Sequence, residues 1–176
     1  MRHMLRTNPM DSRPVCEALR HWLSAHPDLQ TIAVFSALPG EVDLSELVAT
    51  LPNRDWTYPR VVGERLIFHI VRDPARELIP GNFGIPEPSP DASVIGIPHI
   101  DAFLCPGLAF DPHGGRLGRG RGFYDRALAH ARPDAVKLGV CFPCQIVPDT
   151  FAEPHDIHMD EVLSANIEHR TPNIEF

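Results

Sequence analysis

The sequence predicts an α/β domain whose sheet is covered by helices on both faces. Three observations lead there. Short apolar, β-branched runs alternate along the chain with stretches of helical periodicity. Two of those runs, residues 31–36 and 100–106, hold few polar residues, as strands buried on both sides do. The 176 residues suit one compact domain, and with 43% hydrophobic and 22% charged residues they can bury a proper core.

The elements follow in order. Ser12 is placed to cap a first helix, with Pro14 in its first turn and Val15, Leu19, Trp22 and Leu23 on one face. Residues 31–36 read as a buried strand, and Asp43 opens a second helical pattern through Leu44, Leu47, Val48 and Leu51. Residues 56–62 and 65–71 read as two strands joined by a turn at Gly63-Glu64. Six of the nineteen prolines (74, 80, 86, 88, 90 and 98) fall within residues 73–99. That density predicts an ordered but irregular excursion, anchored by Phe83, Ile85 and Ile97. A strand over 100–106 then runs into a loop, 107–122, and a helix starts near Phe123 and continues through Leu128. Residues 136–142 form another strand, and a short last one is expected near Val162-Leu163. No internal repeat is visible.

The net charge of −7 argues against general binding of nucleic-acid backbones. No apolar run approaches the roughly 20 residues of a membrane span. The first residues carry charge without an apolar stretch, so no secretory signal is read and a cytoplasmic location is expected. The four cysteines (16, 105, 141 and 144) are read as thiols of a reducing compartment, three of them in apolar surroundings. Between Asp111 and Arg126 the balance reverses: four arginines against two aspartates make the segment locally +2. One cationic loop on an acidic protein points to a small anionic ligand.

That loop, residues 110–125, carries the chemistry. Glycines at 114, 115, 118, 120 and 122 leave its backbone amides uncovered. Amides in such a loop can converge on phosphate oxygens, and the interleaved arginines add charged donors. The strand–loop–helix setting is where open α/β sheets bind ligands. Gly115 and Gly120 have the spacing of a phosphate-binding P-loop, but Arg121-Gly122 stands where Lys and Ser or Thr are needed. Gly118, Gly120 and Gly122 lack the spacing of a dinucleotide fingerprint. The plainer reading is a surface turn with scattered arginines; its place between two apolar elements favours a site.

Pro106-Gly-Leu-Ala-Phe-Asp111 and Arg116-Leu-Gly-Arg-Gly-Arg-Gly-Phe-Tyr-Asp125 resemble the hallmark of 5-formyltetrahydrofolate cyclo-ligases, also called 5,10-methenyltetrahydrofolate synthetases. Further matches in the same order are Pro39-Gly-Glu-Val-Asp43, Tyr58-Pro-Arg-Val61, Gly84-Ile-Pro-Glu-Pro88, Gln145-Ile-Val147 and His155-Asp-Ile-His-Met-Asp-Glu-Val162. The likeness runs from about residue 15 to residue 165.

The resemblance implies a single three-layer, Rossmann-like α/β domain over residues 1–176, related to sugar-phosphate isomerases and CoA transferases. It also implies a monomeric enzyme that uses ATP and Mg²⁺ to convert 5-formyltetrahydrofolate to 5,10-methenyltetrahydrofolate. By position, Arg116, Leu117, Gly118, Arg119, Gly120, Arg121, Gly122, Phe123 and Tyr124 would cradle ATP. Of these, Arg119, Gly120, Arg121, Gly122 and Phe123 would also face the folate. Arg119 and Arg121 would stabilise charge on the transferring phosphoryl group. Asp125 and Asp156 would hold Mg²⁺. Glu41 would accept the paired donors of the pterin's amino-pyrimidinone edge, with Ser36 and Phe83 lining the substrate. Arg60 is a further anion-binding candidate.

Family members also carry a basic Lys-x-x-Leu-Arg segment on an N-terminal helix. It has no counterpart in register here, which leaves three readings: a start further upstream, Arg2 and Arg6 in its place, or an altered ligase. Two rival functions remain. Cys141, Cys144, His155 and His158 loosely resemble a zinc module, although their spacing and prolines 143, 148 and 154 oppose it. A non-catalytic relative that binds nucleotide or folate is the other.

Overall fold

A computed structural model describes residues 10–81 and 84–165, and the backbone of 167–170. The first helix, α1 (Arg13–Ala25), buries Val15, Cys16, Leu19, Trp22 and Leu23, the stripe its periodicity predicts. Ser12 does not cap it. The Ser12 hydroxyl instead accepts the Asp43 N–H at 2.9 Å, pinning the helix start to the approach of α2 (Ser45–Thr50).

Between these helices lies β1 (Thr31–Ala33), shorter than its apolar run. Then come β2 (Asp55–Val62) and β3 (Arg65–Ile70), joined through Gly63 at φ +60°. The proline-rich stretch is more regular than its composition predicts. It forms α3 (Pro74–Glu77), a hairpin of β4 (Leu78–Pro80) with β5 (Pro86–Pro88), and β6 (Val94–Ile95). These strands are two or three residues long, so proline's missing N–H costs few ladder bonds. After β7 (Ala102–Cys105), the glycine-rich loop holds a small ribbon of β8 (Ala109–Phe110) and β9 (Arg116–Leu117). The chain closes with α4 (Phe123–Leu128), β10 (Val136–Val140), β11 (Glu161–Ser164) and β12 (Ile167–Arg170).

Among the described residues the main sheet has eight strands, in the order β12-β11-β10-β7-β1-β2-β3-β6. The central five are parallel, and β12, β3 and β6 join antiparallel at the two sides. Renumbered along the chain, the parallel strands read 2-1-3-4-5. That doubly wound order changes direction between β1 and β7, and ligands bind beyond the strand ends at such a point.

Side chains alternate between two cores, as strand geometry requires. Ile32, Val34, Ala102, Leu104, Leu138 and Leu163 point to the face covered by α1 and α2. Ala33, Phe103, Cys105 and Val162 point to the opposite face with Ala127 and Leu128 of α4. Gly139 of β10 also faces that second core; a Cβ there would lie 2.5 Å from the Phe110 ring. Burial pushes the thiol of Cys16 up to about 11 and those of Cys105 and Cys141 to about 12, so all three stay protonated.

Candidate functional site

Beyond the ends of β1 and β7 opens a cleft of about 990 Å³. Phe35, Ser36, Leu38 and Glu41 reach it from the chain after β1, Pro106 and Gly107 from the chain after β7. The segment 116–126 forms one wall, Ile85–Glu87 another, and His155 and Asp156 stand on the rim.

Asp111 organises the glycine-rich wall, although its motif alone gave it no role. It is buried and accepts four hydrogen bonds: from the amides of His113 (2.8 Å), Gly115 (3.0 Å) and Thr150 (2.9 Å), and from the Thr150 hydroxyl (2.5 Å). Burial alone would raise its carboxyl, but these donors hold it below the ordinary value. A side chain at Gly115 would run into Asp111 and Thr150, which explains the glycine there. Gly120 and Gly122 adopt φ of +82° and +61°, conformations open to glycine, and so turn the chain into α4.

The Arg116 side chain is buried rather than presented to solvent. Its Nη2 donates to both oxygens of Asp125 (3.0 and 3.1 Å), and its guanidinium lies 5.4 Å from the Tyr124 ring centre. The Arg116 Nε is buried without a hydrogen-bond partner. Burial in turn pushes the Tyr124 phenol well above its ordinary value. Across the cleft, Arg119 Nε donates to Glu41 Oε1 at 2.9 Å, while Glu41 Oε2 accepts the Leu38 N–H at 3.0 Å. Burial raises the Glu41 carboxyl; the Leu38 amide and Arg119 oppose that shift without cancelling it.

Both candidate metal carboxylates line the cleft. Asp156 Oδ2 accepts the Glu153 N–H at 2.7 Å, and Asp125 holds Arg116. Among the described residues no group of three His, Cys, Asp or Glu is placed to hold a metal ion. The donor set is two carboxylates, oxygen ligands of the kind a hard cation would share with phosphate and water. It does not fit zinc. Cys141 is buried, Cys144 is exposed and His158 Nδ1 lies 3.1 Å from the His113 carbonyl oxygen.

A model of the 5-formyltetrahydrofolate cyclo-ligase family matches residues 16–165. The chain belongs to that family. The 5-formyltetrahydrofolate cyclo-ligase of Mycolicibacterium smegmatis is 33% identical over 166 residues, covering 84% of this chain and 80% of its own. That of Escherichia coli K12 is 32% identical over 142 residues, covering 76% and 77%. The NMR structure of Aquifex aeolicus 5,10-methenyltetrahydrofolate synthetase superposes with a TM-score of 0.82 at 27% identity, covering 99% of this chain and 90% of that one.

Seen as a cyclo-ligase fold, the cleft gathers nearly all the residues singled out from sequence. Ser36 lines it, with its hydroxyl held by the Pro86 carbonyl at 2.6 Å. Leu117, Gly118, Arg121 and Phe123 line it as well. Phe83, Arg2 and Arg6 lie outside the described residues. Arg60 turns inward: its Nη1 donates to the Pro88 carbonyl at 2.8 Å and lies 3.6 Å from Glu87 Oε2. Glu87 was missed as a site candidate. Its sequence signals are an acid set between two prolines and its place in the Gly84-Ile-Pro-Glu-Pro88 match, neither of which reveals burial.

Proposed function

We propose that this chain couples ATP hydrolysis to ring closure of 5-formyltetrahydrofolate, giving 5,10-methenyltetrahydrofolate, ADP and phosphate with Mg²⁺ as the metal. The observation that carries this reading is one cleft, at the strand-order reversal, lined by the Arg/Gly segment, Glu41 and the carboxylates Asp125 and Asp156.

The formyl oxygen is a poor leaving group. It attacks the γ-phosphorus, displacing ADP, and becomes a phosphoryl ester; N10 then closes on the activated carbon and loses its proton as phosphate departs. Such chemistry asks the protein mainly for alignment and charge neutralisation. Arg119 and Arg121 supply guanidinium groups to the phosphoryl oxygens, and the turns at Gly120 and Gly122 uncover backbone amides beside them. Glu41 takes the pterin's paired N–H donors, which would compensate the burial that now raises its carboxyl. Asp125 and Asp156 would hold the cation, which would supply positive charge against that of the phosphates. The same reading makes the chain a single-domain, monomeric, cytoplasmic enzyme. No helix among the described residues is long and apolar enough to cross a membrane.

The test is the appearance of methenyltetrahydrofolate absorbance on mixing protein, 5-formyltetrahydrofolate, ATP and Mg²⁺. Turnover that needs both ATP and the metal supports the reading. A protein that binds ATP yet yields no product would be a non-catalytic relative.

A further inference from the structure

A fourth carboxylate faces the cleft and has no part in the chemistry above. Glu87 is the middle residue of β5, and its side chain is 2% exposed. Pro86 and Pro88 on either side have no N–H to offer it. Past Thr57, where pairing with β1 ends, the outward amide of β2 at Val61 turns to Glu87 Oε1, at a long 3.3 Å. Among the described residues, Glu87 Oε2 has no hydrogen-bond donor. Arg60 lies 3.6 Å away and directs its Nη1 to the Pro88 carbonyl instead. Space is kept for this carboxylate at Gly81, where a Cβ would come within 2.6 Å of Oε2.

A buried carboxylate with one long hydrogen bond is an under-satisfied acceptor, and a buried group of this kind is costly unless a donor reaches it. Glu87 lines the same cleft as Glu41. We propose that Glu87 is a second substrate-positioning carboxylate, accepting an N–H of the reduced folate that Glu41 does not engage. This rests on the folate reading of the cleft. With the amino-pyrimidinone edge on Glu41, the ring-system and linker donors left over are N8–H and N10–H. Two carboxylates reading donors on separate edges would fix the orientation of the pterin as well as its affinity, since a flipped ring presents O4 or the N5-formyl oxygen to one of them.

The experiment is equilibrium binding of 5-formyltetrahydrofolate and of its 8-deaza and 10-deaza analogues, each with one N–H replaced by CH₂. Wild type is compared with Glu87→Gln and Glu87→Leu. Losing a buried charged hydrogen bond is expected to weaken binding of the parent folate by roughly 10- to 100-fold in Glu87→Leu. Glu87→Gln, which keeps an acceptor oxygen, should lose only a few-fold. Wild type should lose a similar factor on one of the two analogues, and Glu87→Leu should bind that analogue no worse than the parent. ATP affinity should be unchanged. If wild type binds both analogues as tightly as the parent, or if the Leu variant weakens all three ligands alike, Glu87 is a structural partner of Arg60 and the proposal is overturned. Should the Leu variant not fold, the analogues on wild type decide alone. Failure of wild type to bind the parent folate overturns this proposal together with the folate reading, whereas tight binding indifferent to N8–H and N10–H overturns only the role of Glu87.

Discussion

At Glu41, burial raises the carboxyl while the Arg119 guanidinium holds its charge from across the cleft. The side chains proposed to receive the two substrates thus pair with each other, and either substrate must part them. Glu41→Gln keeps the shape but weakens that hold. The expected outcome is opposite in sign for the two ligands: folate binding weaker by at least about 10-fold, nucleotide binding equal or tighter, measured by titration calorimetry. Asp111 acts through stability. Asp111→Asn places an NH₂ or a weaker acceptor before four donors and is expected to cost about 2–3 kcal/mol at pH 7. Because the folded carboxyl lies below its ordinary value of 3.8, its contribution is complete above that pH and is lost as pH falls through the folded value. Urea denaturation should therefore show the gap between variant and wild type closing below about pH 4.

Among the elements, β10 and the β8–β9 ribbon depend on one close contact. One edge of the Phe110 ring of β8 comes close against β10 because Gly139 has no side chain. Gly139→Ala must displace that ring, with an expected loss of about 1–3 kcal/mol in thermal or urea unfolding. The displaced ring should also disturb Arg116, which pairs with Phe110 across the ribbon, so KM for ATP should rise in the same variant. Elements with long periodic patterns, such as α1 and the β2–β3 hairpin with its glycine turn, were legible because burial acts on many residues at once. The ribbon and the β4–β5 hairpin were not, since two- and three-residue strands leave no period to read and prolines there mark breaks rather than short pairings. Ser12 misled for a related reason: its hydroxyl is taken by the Asp43 amide, 31 positions away, which the local pattern does not show.

The proposed ligand sites share one opening between two covered faces, so ligand binding should stabilise the fold as a unit. Nucleotide with Mg²⁺ at 100 times its Kd is expected to add about 2.7 kcal/mol, a rise in Tm of roughly 5–10 °C for a chain of this size. ATP without the metal should give clearly less, because Asp125 and Asp156 then face phosphate oxygens with no cation between them. Equal shifts with and without Mg²⁺ in a thermal-shift assay would remove those two residues from metal binding.

The sequence by itself determined the α/β class, the order of the long elements, the family and the Arg/Gly segment, since each is written in periodicity or in contiguous residue types. Only the tertiary structure decided that Arg116 closes on Asp125, that Arg119 reaches Glu41 and that Glu87 is buried with an oxygen left over. Those pairings join residues 9 and 78 positions apart, or depend on which amides other strands leave unpaired. Such facts belong to the sheet order, which local patterns do not encode.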